Sequence, residues 1–173
     1  MAHHGGSLYV LQGGRPGGFW RYQIGKATWE AVGILPAVPV ASGQSATGLV
    51  AMAKSLVAFS DRTAMMFSPK TSRWRLLDVV PFALSLDGGM AAADTQSNHV
   101  YVIAGGVSTR LGRLDVVSGR FEELEPRLPD VVSAEGNRLA VCEVDGRRRL
   151  YIHRGHDSSE IWHIDLADLR PRK

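Results

Sequence analysis

The sequence predicts an all-β fold built from repeated small antiparallel sheets, and three observations lead to that prediction. First, seven residues separate Tyr22 from Trp29, and seven more separate Trp29 from Pro36. The same two intervals return at Phe67, Trp74 and Pro81. They nearly return at Leu114, Phe121 and Pro129, where the second interval is eight residues. Second, 19 glycines and eight prolines punctuate short apolar runs, as expected for strands joined by turns. Third, no segment carries a sustained apolar stripe of helical period.

The first two repeats each contain a series of short predicted strands. In the first repeat they are Ser7–Leu11, Phe19–Ile24 and Trp29–Ile34, with a loop at Gly13–Gly18 and a tight turn at Gly25–Thr28. Met1–Gly6 is either an unrelated addition or the remnant of a further strand that precedes Leu8. The second repeat has four strands, predicted at Ala46–Ala53, Ser55–Phe59, Ala64–Ser68 and Trp74–Val80. Four antiparallel strands in sequence form a meander, which is the unit of a propeller blade.

The third and fourth repeats follow the same plan. The third has predicted strands at Gly89–Ala93, Val100–Ala104, Leu111–Val117 and Phe121–Leu124. The fourth has Arg138–Val144, Leu150–His153 and Ile161–Leu166, with a hairpin turn at Asp145–Gly146. We therefore predict one propeller domain, or part of one, over residues 1–173, with repeats at about 7–40, 41–86, 87–130 and 131–170.

The repeat length and three recurring features indicate a family. When Leu8, Leu56, Val100 and Leu150 are taken as equivalent, the periods are 48, 44 and 50 residues. The shared features are a glycine pair after a strand, an aromatic residue in the third strand and a tryptophan before the fourth. They occur at Gly13–Gly14 and Gly105–Gly106, at Tyr22 and Phe67, and at Trp29 and Trp74. Over Leu8–Leu169 the chain resembles the kelch-repeat β-propeller family, although Asp61–Arg62 replaces one glycine pair and Phe121 replaces one tryptophan.

Large side chains at equivalent positions are expected to fill the layers between neighbouring blades. A four-stranded blade cannot bury both of its faces alone, so blades must stack. The candidates for these layers are the aromatic residues Tyr22, Trp29, Phe67 and Trp74. Each such side chain buries on the order of 150–250 Å².

The last repeat lacks a segment for its fourth strand, because the position seven residues after Ile164 is Pro171. Kelch rings, which these repeats resemble, usually have six or seven blades. We therefore expect an incomplete propeller, with four repeats of four-stranded sheets, that is completed by a second copy, by other chain segments or by a partner.

Charge and hydropathy exclude several classes of partner. The net charge is only +3, and the basic runs Arg147–Arg149 and Arg170–Lys173 are interpreted as solvated turns and ends, so no nucleic-acid partner is predicted. No stretch approaches the length of a membrane span and no leader opens the chain, so we predict no membrane partner and a cytoplasmic location.

No catalytic, metal or cofactor residue is predicted. Cys142, the single cysteine, lies in an apolar strand, where a buried and inert thiol is expected. His153, His156 and His163 lie near Asp157 and Asp165, but no cysteine or second cluster joins them, so a structural or exposed role is favoured over a zinc site. The glycine loop at Gly13–Gly18 has no following helix or lysine to bind phosphate.

One pattern points to binding. Every repeat places an arginine in the loop between its second and third strands, at Arg15, Arg62, Arg110 and Arg154. In a propeller these loops lie on one side, and the guanidinium fork suits carboxylates. In kelch proteins, which this chain resembles, such loops commonly bind a partner.

The leading hypothesis is therefore a non-enzymatic scaffold or adaptor that binds a protein partner, with an acidic segment of that partner facing the arginines. The alternative is a carbohydrate-binding or metal-free sugar-isomerising propeller, which needs only an arginine and a carboxylate across the channel. Copper oxidases of the related group need a cysteine cross-linked to tyrosine, together with histidine and tyrosine ligands. Nothing in the sequence places such ligands with Cys142.

Overall fold

The computed structural model describes residues 1–12, 18–34, 48–60, 62–82, 89–105, 108–132, 138–155 and 158–172. In this part of the chain, small antiparallel sheets are arranged as the four blades of a β-propeller, which confirms the predicted fold class. The only helical segment in these ranges is a 3₁₀ turn at Ile24–Lys26. In the same ranges no helix has the length and apolar character needed to cross a bilayer.

Blades 1 and 2 are both four-stranded meanders. The strands of blade 1 are β1 (Ala2–His4), β2 (Ser7–Leu11), β3 (Gly18–Gln23) and β4 (Thr28–Ile34). Those of blade 2 are β5 (Gly48–Ala51), β6 (Leu56–Ser60), β7 (Thr63–Ser68) and β8 (Arg73–Val79). The first residues of the chain therefore do supply a first strand to blade 1, since His3 pairs with Leu8.

Blades 3 and 4 differ in their strand number. Blade 3 contains β9 (Met90–Ala93), β10 (His99–Ile103), β11 (Leu111–Asp115) and β12 (Phe121–Glu125). Among the described residues blade 4 has three strands, β13 (Arg138–Val144), β14 (Arg147–His153) and β15 (Ile161–Asp165). The predicted hairpin turn at Asp145–Gly146 joins β13 and β14, and both residues have positive φ, as a type I′ turn requires.

The end of the described chain adds a fifth strand to blade 3. β16 (Arg170–Pro171) pairs antiparallel with β12, through Glu125 opposite Arg170. The basic tail is exposed, in agreement with its interpretation as a solvated end, but the backbone of Arg170 is also part of a sheet. The strand covers the outer edge of blade 3, which would otherwise present unpaired backbone groups.

The cross-strand registers confirm the predicted equivalence of the four repeats. Leu8 lies opposite Tyr22, Leu56 opposite Phe67, Val100 opposite Leu114 and Leu150 opposite Ile164. Because side chains alternate between the two faces of a strand, this shared register orients every blade in the same way.

Each blade can therefore be described by two faces. The face that carries these paired anchors packs on the preceding blade and is called the leading face. The opposite face packs on the following blade and is called the trailing face. The innermost strands follow in series, with β1 beside β5, β5 beside β9 and β9 beside β13.

Three apolar layers hold the described blades together. Between blades 1 and 2, Tyr9 and Phe19 meet Leu56 and Phe67, and all four are nearly or fully buried. The second layer joins Val57 and Phe59 to Val100 and Leu114, and the third joins Tyr101 and Leu111 to Leu150 and Ile152. Among the described residues no such layer joins blade 4 to blade 1.

The prediction that all four aromatic residues fill layers between blades is only half right. Phe67 is 1 % exposed and Trp74 packs against the same layer. In contrast, Trp29 is 57 % exposed and Tyr22 is half-buried against it, with ring centroids 5.0 Å apart. The physical reason is position in the stack, because the leading face of blade 1 has no described blade in front of it.

The prediction of a buried Cys142 is wrong for the same reason. Cys142 is exposed. It lies opposite Arg149, on the trailing face of blade 4, where no described blade follows. The apolar strand pattern around it reflects the opposite face, on which Leu139 and Val141 pack against blade 3.

Candidate interaction surface on the loop side

The loop side is the end of the blades that carries the loops between second and third strands and the connections between blades. Of the four predicted arginines, Arg15 lies outside the described residues. Arg62 is exposed, and its backbone carbonyl accepts a hydrogen bond of 2.6 Å from the amide of Val80. The hairpin loop that carries Arg62 is thereby tied to the end of β8.

Arg110 is held rigidly within blade 3. Its Nε and Nη2 atoms donate to the two carboxylate oxygens of Glu123 at 3.0 and 2.9 Å. Its guanidinium carbon also lies 4.8 Å from the ring centroid of Phe82, which is buried between blades 2 and 3. Such a two-point pair beside an aromatic face fixes the orientation of the side chain.

Glu123 collects two further arginines. Arg172 Nη1 donates to it at 3.1 Å, and Arg127 Nη2 lies 3.8 Å from it. The pKa of Glu123 is held below its ordinary value, chiefly by the hydrogen bonds from Arg110 and then by Arg172. This carboxylate, together with Arg110, Arg127 and Arg172, is called the Glu123 cluster.

Arg154 joins blade 4 to the connection that precedes it. Its Nη2 donates to Asp130 at 2.5 Å and its Nη1 to Glu160 at 3.1 Å. Both carboxylates are about half-exposed. Exposed pairs of this kind contribute about 0–1 kcal/mol to stability, so the fold depends little on them.

The arginine pattern in the sequence therefore names Arg110 and Arg154 but does not indicate their carboxylate partners or the rest of the Glu123 cluster. Arg127 follows Glu123 by four residues. This spacing brings two side chains together on a helix, but it predicts no contact where the chain is extended. Arg172 reaches Glu123, 49 residues earlier in the chain, only because β16 pairs with β12. No local signal in the sequence indicates that pairing.

The basic run Arg147–Arg149 is also more than a solvated turn, because it begins β14. Arg148 donates to Asp94 at 2.6 Å, and the Asp94 side chain is only 3 % exposed. Asp94 follows β9, so this ion pair links blade 3 to blade 4. Arg149 Nε donates to Asp165 at 2.6 Å within blade 4.

A cleft of about 320 Å³ lies on the opposite side of blade 3, near the turn between β11 and β12. Its lining residues are His99, Arg113, Asp115, Ser118, Arg120 and Glu122. Burial, followed by the charge of Arg113, lowers the pKa of His99. The cleft mixes both signs of charge, and Arg113 already donates to Glu122 at 2.6 Å.

The histidine group of blade 4 can be followed only in part. His163 is exposed beside Tyr151, with ring centroids 5.9 Å apart, and His153 lies on the neighbouring strand. His156 and Asp157 lie outside the described residues. Within the described ranges, no three histidine, cysteine or acidic side chains are placed to hold a metal ion.

No protein-family model matches this sequence, and no curated protein is significantly similar to it.

Proposed function

We propose that this chain is a protein-interaction module whose loop side binds an acidic segment of a partner protein. The propeller fold is compatible with such a role, since it presents loops and connections of successive blades on one side. The observation that carries the proposal is the Glu123 cluster, in which three guanidinium groups surround one carboxylate.

The charge balance of the cluster favours further carboxylates. Glu123 offers two oxygens to three guanidinium groups, each of which carries several N–H donors. Arg127 and Arg172 remain 48 % and 43 % exposed, whereas Glu123 is only 16 % exposed. A partner's Asp or Glu side chains can therefore reach the cations without displacing the less exposed carboxylate of Glu123.

Two other arginines extend the same charge along the loop side. Arg62 is exposed in blade 2, and Arg154 in blade 4 makes only half-exposed pairs. An extended acidic peptide could contact more than one blade in this way. Contacts between exposed charges are screened by salt, so the proposed binding should weaken as ionic strength rises.

The test is binding of a fluorescent, glutamate-rich probe peptide, measured by anisotropy at low and at high salt. Arg127→Ala combined with Arg62→Ala should weaken binding about fivefold, because each exposed charge contact contributes about 0.2–1 kcal/mol. Both side chains are exposed, so the variant should unfold at the same temperature as the wild type.

The matched control is Arg73→Ala, which removes an exposed arginine from the start of β8, on the opposite side of blade 2. This variant should bind the peptide as the wild type does. The proposal is contradicted if the double variant retains full affinity, or if the wild type binds a neutral peptide of equal length equally well.

A further inference from the structure

The leading face of blade 1 has the side chains of an interior surface but lies exposed. Leu8, Tyr22 and Trp29 lie opposite one another across β2, β3 and β4. In blade 2 the equivalent row is Leu56, Phe67 and Trp74, and blade 1 covers it. Trp20, in the next row of blade 1, is also 39 % exposed. A contiguous exposed apolar surface of this kind indicates an interaction site.

The trailing face of blade 4 is uncovered in the same way. Tyr151 occupies the position that Tyr9 and Tyr101 occupy in blades 1 and 3, where each is 3 % exposed. Tyr151 itself is only half-buried. Ile161 corresponds to the fully buried Phe19 and Leu111 but is 64 % exposed.

The layer between blades 1 and 2 shows how two such faces fit. Phe19 lies 4.9 Å from Phe67 and 5.0 Å from Trp74, and Tyr9 lies 6.2 Å from Phe67, measured between ring centroids. On the uncovered trailing face of blade 4, Ile161 and Tyr151 occupy the positions that Phe19 and Tyr9 occupy in blade 1. On the uncovered leading face of blade 1, Tyr22 and Trp29 occupy the positions that Phe67 and Trp74 occupy in blade 2.

We propose that two copies of this chain associate head to tail, so that blade 4 of each packs on blade 1 of the other and an eight-bladed ring closes. In each new layer, Ile161 contacts Tyr22 and Trp29 of the second copy, and Tyr151 contacts Tyr22. The contacts continue the stacking already present between blades 1 and 2.

A second copy fits both uncovered faces at once. Each chain carries one uncovered leading face and one uncovered trailing face, so a symmetric pair covers all four. Eight blades lie within the range that propellers adopt. The charges of the blade 4 face are largely paired within the chain, since Arg147 and Arg149 both contact Asp165. In the proposed layer these arginines do not oppose a like charge, because the facing row of blade 1 consists of the uncharged Leu8, Tyr22 and Trp29.

The test is sedimentation velocity of the full chain and of two variants, Trp29→Asp and Ile161→Asp. Both residues are exposed in the single chain, so each variant should keep the wild-type circular dichroism spectrum. The wild type should sediment with twice the monomer mass at micromolar concentration, and each variant alone should be monomeric. Val117→Asp, which changes a residue that is 66 % exposed in the turn after β11, is the matched control and should remain dimeric.

Mixing the two variants tests the head-to-tail arrangement. The intact trailing face of Trp29→Asp and the intact leading face of Ile161→Asp form one layer, so the mixture should contain pairs that neither variant forms alone. A wild type that stays monomeric at high micromolar concentration would overturn the proposal. A dimer that persists in Ile161→Asp would show that leading faces pair with each other, which also overturns it.

Cys142 supplies a second measurement. Its equivalents in blades 2 and 3, Met52 and Asp94, are 4 % and 2 % exposed beneath the following blade. Maleimide labelling of Cys142 should therefore slow as the wild-type concentration rises into the association range, and should not slow for Trp29→Asp. A labelling rate that does not depend on wild-type concentration would contradict the proposed layer.

Discussion

The leading faces of blades 1 and 2 carry nearly the same residues at the same repeat positions, yet one is exposed and the other is buried. Tyr22 and Trp29 correspond to Phe67 and Trp74. Phe67 is 1 % exposed, whereas its equivalent Tyr22 is only half-buried, and Trp29 is 57 % exposed, whereas its equivalent Trp74 is partly buried. The comparison shows that, in a stack of blades, the number of neighbours decides the environment of a side chain and the residue type does not.

The largest expected effect is a difference in stability between two matched truncations. Phe67→Ala should lower the free energy of unfolding by about 3–5 kcal/mol, because it opens a cavity in a complete layer. Tyr22→Ala should cost about 1 kcal/mol or less in the monomeric chain, since its face is not covered. Urea denaturation at nanomolar concentration measures both. Equal losses of unfolding free energy in the two variants would contradict the conclusion that only the leading face of blade 2 is covered.

A smaller effect is expected at Gly112, in the layer between blades 2 and 3. A Cβ at this position would collide with the ring of Phe121, which lies 5.3 Å from that of the buried Phe82. Gly112→Ala should therefore cost about 1–3 kcal/mol, since the ring must shift within a packed layer.

Gly25→Ala is the control for that change, because a Cβ there would meet nothing within 4 Å. It should leave the urea midpoint within experimental error. If Gly112→Ala also left the midpoint unchanged, the layer between blades 2 and 3 would be looser than the described packing indicates.

The smallest effect is expected at high pH, at Tyr101 in the covered layer between blades 3 and 4. Burial raises the pKa of Tyr101 above its ordinary value of 10.0. The unfolded chain therefore releases the phenolic proton first, and the stability that Tyr101 contributes is intact below pH 10.0 and is lost as the pH rises further. Tyr101→Phe should reduce the loss of stability above that pH.

Thermal unfolding of Tyr101→Phe and of the wild type between neutral and alkaline pH measures the difference. An alkaline loss of stability in Tyr101→Phe that equals the wild-type loss would show that the Tyr101 ring is not held in a closed layer.

The arginines of the proposed binding surface divide along the same line. The loop pattern in the sequence singles out Arg110 and Arg154, and the structure places both on the loop side with their carboxylate partners. The loop pattern does not indicate that Glu123, Arg127 and Arg172 form a group. That cluster exists because β16 returns to β12, and a pairing between strands so far apart in the chain leaves no local trace.

The sequence by itself determined the strands, the turns and the common register of the repeats. These features depend on alternation within a strand and on turn residues such as Asp145 and Gly146, which act over a few positions. Only the tertiary structure decided which faces are covered. The covering residues come from a blade almost fifty positions away, so equivalent positions give a buried Phe67 and a partly buried Trp74 in blade 2 but a half-buried Tyr22 and an exposed Trp29 in blade 1.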